Sequence, residues 1–95
     1  TTNLRITTED LCSKMVERYR RAPSDPVEEI SGQIWSGKPV LTRQLTTVQS
    51  KTVYTFYCVN TNNGTAALIE TATWAEYKDS VHGAAQVLMT TWQWK

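Results

Sequence analysis

The sequence predicts an α+β fold: an antiparallel meander of three or four strands with a helix before it and a helix after it, in the order α-β-β-β-β-α. Three observations predict it. Leu11, Met15 and Tyr19 recur at four-residue steps near the start. Threonine-rich apolar runs broken only by short polar turns fill residues 40–72. Apolar residues return to three- and four-residue spacing from Trp74 to Trp92. The first and third patterns are helical, and the second belongs to strands joined by tight connections. Ninety-five residues suit one domain, 1–95, with a modest core.

Each element has local signals. Residues 3–6 read as a short extended segment. The first helix starts at Thr7 or Thr8, with Glu9 and Asp10 in the first turn and Arg18, Arg20 and Arg21 at the end. That distribution of charge matches the helix dipole. Pro23 closes the helix, because the residue before a proline avoids helical angles. Ser24-Asp25-Pro26-Val27-Glu28-Glu29 predicts a second, very short helix, with Asp25 as cap and Pro26 in the first position. Gly37 and Pro39 mark a turn after residues 33–36. Strands are expected at 40–48, 52–59 and 65–72, linked by Gln49-Ser50-Lys51 and by a loop at 60–64. Thr73-Trp74-Ala75-Glu76 has the capping-box pattern and opens the last helix, whose buried stripe is expected to be Trp74, Tyr77, Val81, Ala84 or Ala85, Leu88 and Trp92. Gly83 in the middle of that helix costs roughly 1 kcal/mol against alanine, with a close packing contact as the alternative reading.

Two helices against one face of the sheet is the packing this order suggests. On the central strand Tyr54, Phe56 and Cys58 share one face, and Val53, Tyr57 and Val59 share the other. Both faces are apolar, so the second needs cover from the chain's own loops or from a second copy, and a homodimer is the expectation. Trp35, Tyr57, Val59 and Trp94 are the residues expected at a partner or dimer interface, since tryptophan and tyrosine anchor such contacts.

Composition excludes several roles. Ten basic and nine acidic residues give a net charge of +1, too little to capture a polyanion by long-range attraction. No apolar run reaches the ~18 residues of a membrane span, and the first ten residues are too polar for a signal segment. No membrane role is expected, and a cytoplasmic location is the reading. Cys12 and Cys58 are expected as two buried thiols, with one bridge between helix and strand as the alternative. Asn63-Gly64-Thr65 fits both a glycosylation acceptor and an ordinary turn.

No catalytic or metal-ligating set emerges, and no cofactor is expected. His82 is the only histidine, and it falls one step off the apolar stripe. One histidine and two distant cysteines do not make a zinc site or a nucleophile–base pair. Glu28 and Glu29 suit the helix dipole better than acid–base chemistry. The positive cluster is Lys14, Arg18 and Arg21, which on a continuous helix would share one face and could contact phosphates.

The helix–antiparallel sheet–helix order resembles that of double-stranded-RNA-binding domains. Those domains carry a lysine cluster at the start of the second helix, where this sequence has Trp74-Ala75-Glu76-Tyr77-Lys78-Asp79. The resemblance therefore covers the order of elements and not the binding residues. The expected role is a non-enzymatic protein-binding module, either a dimeric adaptor or a small inhibitor or regulator of a larger protein. A nucleic-acid-binding domain using the basic helix face is the alternative.

Overall fold

The computed structural model describes residues 8–60 and 66–93. Its elements are helix α1 (Thr8–Tyr19), strands β1 (Val27–Ile30), β2 (Ile34–Trp35), β3 (Lys38–Pro39), β4 (Leu41–Thr47), β5 (Thr52–Asn60) and β6 (Ala66–Trp74), a 3-10 turn (Ala75–Tyr77) and helix α2 (Lys78–Thr91). Four strands form one antiparallel sheet in the order β1-β4-β5-β6, while β2 and β3 form a separate small hairpin. The α+β fold with a helix at each end is therefore as the sequence predicts.

The two helices, however, do not share a face of the sheet. Cys12 and Val16 of α1 pack on Leu45, Phe56 and Cys58. Ala85 and Met89 of α2 pack on Tyr57 and Val59, together with Trp35 from the hairpin. Strand β5 separates the two halves of the core, because its alternate side chains point to opposite faces. The apolar second face that suggested a homodimer is thus covered by α2 and by Trp35. Nothing about that face calls for a second chain.

Residues 24–29 do not form a helix. The Asp25 carboxylate instead accepts the backbone N–H groups of Arg21 and Ala22, each at 3.0 Å, and that of Val48 at 3.3 Å. It closes the turn after α1 rather than heading a new helix. The Pro26 carbonyl accepts the Thr46 N–H at 3.0 Å, and β1 continues the ladder with Glu29 directly opposite Arg43. Those two side chains form an ion pair at 2.9 Å. Glu28 and Glu29 therefore belong to an edge strand, and the helix-dipole explanation for them falls.

The hairpin turn at Ser36 and Gly37 has positive φ at both residues, 45° and 84°. That is the twist a two-residue connection between antiparallel strands requires. It carries Trp35 inward, to 2% exposure.

Cys12 and Cys58 are joined by a disulfide, and both residues are fully buried. The expectation of two free thiols is corrected by the pairing itself: α1 crosses β5 so that the two Cα atoms lie 6.1 Å apart, within bonding reach.

Helix α2 starts later than expected. Trp74 is the last residue of β6, no side chain caps the turn that follows, and the helix proper begins at Lys78. Its buried residues are Ala85 and Met89, whereas Leu88 is 45% exposed. Gly83 marks no close contact, since a Cβ built there would meet nothing within 4 Å.

Residues 3–6, the Asn63-Gly64-Thr65 sequence and Trp94 lie outside the described residues.

Candidate binding surface

The residues singled out by sequence separate into three environments. Trp35, Tyr57 and Val59 are buried within the chain, beneath α2. In the single chain they face no outside partner. Lys14 and Arg18 are exposed on α1, where the Arg18 guanidinium sits 5.9 Å from the centre of the Tyr19 ring. Arg21 does not continue their face, because the helix ends at Tyr19 and the chain turns away to meet Asp25. The neighbouring Arg20 serves the same turn, donating to the carbonyls of Pro23 at 2.7 Å and Asp25 at 2.9 Å. The expected three-residue basic face is thus reduced to two cations.

Asp25 and Tyr57 have shifted titrations with clear causes. Burial pushes the Asp25 carboxyl up, but the N–H groups of Ala22, Val48 and Arg21 and the Arg20 charge outweigh it. The carboxyl is held below its usual range. Burial pushes the Tyr57 hydroxyl up to about 12. That hydroxyl bonds His82 Nδ1, and the two rings stack with centroids 5.7 Å apart. His82 is therefore a partner for a buried hydroxyl at the helix–sheet boundary.

The surface that sequence reading missed surrounds Trp74. In register, Trp74 lies opposite Thr52 at the end of the sheet, on the face that α1 covers further along. Tyr19, the last residue of α1, stacks on Tyr54 at 4.9 Å, and its hydroxyl donates to Glu70 at 3.4 Å. The helix stops there, so the row containing Trp74 receives no cover from it. Trp74 is 65% exposed and Tyr77 53%. Two hollows flank the indole. One, of about 540 Å³, is lined by Ser50, Lys51, Trp74, Ala75 and Glu76. The other, of about 360 Å³, is lined by Thr52, Ala72, Thr73, Trp74 and Tyr77.

This corner is held in place by the β4–β5 turn. Thr47 Oγ1 shares a hydrogen bond with Ser50 at 2.6 Å and donates to the Thr52 carbonyl at 3.1 Å. Lys51 takes a positive φ of 54°, and its carbonyl accepts the Ala75 N–H at 3.1 Å. The indole thus projects from a strand end tied to a tight turn. Such an arrangement suits binding, because an anchor held in place loses little freedom on association. The signal in the sequence was present: Thr71-Ala72-Thr73-Trp74 alternates polar and apolar through Trp74, and the capping-box pattern obscured it.

No protein-family model, curated protein or solved structure matches the chain. Among the described residues no group of three His, Cys, Asp or Glu is placed to hold a metal ion, and no helix is long and apolar enough to cross a membrane.

Proposed function

We propose that this chain is a protein-binding module, acting without catalysis as an adaptor or inhibitor, and that Trp74 is its anchor. The observation that carries the reading is the exposed Trp74–Tyr77 pair between two hollows. Large apolar surface beside a groove marks interaction sites, and tryptophan and tyrosine are enriched among residues that dominate binding energy. The strand behind the pair extends the same surface. β6 is a nine-residue strand at the edge of the sheet, and among the described residues no strand pairs with its outer side. An edge strand offers backbone donors and acceptors to an extended segment of a partner. The buried disulfide suits a protein that works in an oxidising compartment, and we favour that location over the cytoplasmic expectation.

The nucleic-acid alternative has less support. Two exposed cations on α1 would release few counterions, so the electrostatic gain is small.

A library of displayed peptides panned against the native chain tests the reading. Enriched peptides are expected to bind the Trp74→Ala variant at least ~10-fold more weakly, the loss of one interface anchor worth ~1.4 kcal/mol or more. Their binding should change little with salt. Equal binding to both proteins would overturn the assignment of Trp74. Steeply salt-dependent binding of short RNA or DNA, lost on Arg18→Glu, would favour the alternative.

A further inference from the structure

The outward face of α2 carries no charge and exposes two large apolar side chains. Val87 is 64% exposed and Leu88 45%, and Ser80, Ala84 and Thr91 are exposed as well. With 3.6 residues per turn, Ser80, Ala84, Val87 and Thr91 fall in one stripe, opposite the buried Ala85 and Met89. Leu88 borders the stripe. Between Asp79 and Lys95 the only titratable residue is His82. A helix face open to water ordinarily carries charged or strongly polar residues. This one does not.

We propose that this face is the contact between two copies of the chain, packed helix against helix in antiparallel fashion about a two-fold axis. The pattern of side-chain size supports that occupant. The stripe is small at Ser80 and Ala84 and bulkier at Val87 and Thr91. An antiparallel two-fold sets Val87 on the partner's Ala84 and Ser80 on the partner's Thr91, so each bulky residue meets a small one. Leu88 closes the flank of the same contact. A parallel pair would stack Val87 on Val87 and leave Ser80 and Ala84 underfilled.

Charge points the same way. A face without charge meets its own copy with no like-charge repulsion, whereas it offers nothing to anchor a charged partner.

Size sets the expected strength. Fourteen residues make a helix ~21 Å long. One face of it falls short of the ~800 Å² per partner typical of stable interfaces. A contact of this size fits a weak, reversible monomer–dimer equilibrium.

Sedimentation velocity over a dilution series, from roughly 1 to 500 μM to span such an equilibrium, tests the proposal with no other protein present. A negative result therefore leaves the role of Trp74 untouched. The native chain is expected to pass from monomer to dimer across the series, and the Val87→Glu/Leu88→Glu variant to stay monomeric throughout. Both substituted residues are exposed, so native far-UV circular dichroism is expected for the variant. A native chain that stays monomeric at every concentration, or a variant that dimerises as the native chain does, would overturn the proposal. Oxidative cross-linking tests the geometry independently. Ala84→Cys lies within one turn of its own copy along the axis, whereas Ser80→Cys is roughly 16 Å from its copy. Cross-linked dimer from Ala84→Cys alone supports the antiparallel arrangement. Cross-linking of both variants alike, or of Ser80→Cys only, would overturn it.

Discussion

At the scale of single residues, Asp25 and Tyr57 link the stability of the fold to pH in opposite senses. The Asp25 carboxylate binds the turn after α1 to the end of β4 through three backbone N–H groups, and its folded titration is lowered. A carboxyl held below its unfolded value near ~3.9 contributes stability that is complete above that value. The contribution is lost as pH falls through the folded value. Tyr57 acts in the opposite sense. Its hydroxyl is raised to about 12 by burial, so its contribution is complete below ~10 and fades as pH rises toward the folded value. Thermal unfolding measured from acid to alkaline pH should show both limbs. Asp25→Asn is expected to lower the melting temperature at neutral pH and flatten the acid limb, and Tyr57→Phe to flatten the alkaline one. An unchanged acid limb in Asp25→Asn would mean that other carboxylates carry the acid transition.

At the scale of elements, what the sequence revealed depends on the range over which the deciding interaction acts. Strands β4 and β5 were legible because their alternation is local: Tyr54, Phe56 and Cys58 belong to one face, and Val53, Tyr57 and Val59 to the other. The α1 stripe of Leu11, Met15 and Tyr19 was legible for the same reason. Residues 24–29 were not. Asp25-Pro26 with Glu28 and Glu29 close behind matches the local signals of a helix start, and it is overruled by pairing with β4 some fifteen residues away. The start of α2 was misplaced because Thr73 and Glu76 match a capping box while the ladder with β5 continues through Trp74. The candidate surface was missed through that same error, which assigned Trp74 to a buried helical stripe. Gly83 gives a direct check on α2. It lies within the helix with open space where a Cβ would stand. Gly83→Ala is expected to stabilise the fold by up to ~1 kcal/mol, the usual helix-interior difference. Denaturant unfolding with an unchanged slope measures it. A loss of stability would reveal a steric demand on Gly83 that the fold does not show.

At the scale of the whole molecule, one sheet separates two half-cores of different construction. The α2 half is closed without a covalent tie, by packing of Trp35, Tyr57, Val59, Ala85 and Met89 and by the Tyr57–His82 hydrogen bond. The α1 half adds a covalent tie, since Cys12 and Cys58 join the helix to β5 across 46 positions. Closing a loop of that length restricts the unfolded chain by roughly 4 kcal/mol on the chain-entropy estimate. For a domain with a typical stability of about 5–15 kcal/mol, that is a large share. The tie was not readable from two cysteines alone, because the crossing of α1 over β5 is what brings them together. Its loss should not fall evenly on the two halves. In a Cys12→Ser/Cys58→Ser variant, α1 keeps only Val16, at 8% exposure, as a buried apolar contact, with Leu11, Met15 and Tyr19 partly buried around it. Helix α2 keeps every contact it had. Hydrogen exchange of that variant is therefore expected to show α1 amides losing protection well before those of β5 and α2, as a local opening distinct from global unfolding. Equal loss of protection in both helices would show that the sheet couples the two half-cores into one cooperative unit, and that the disulfide stabilises the molecule as a whole.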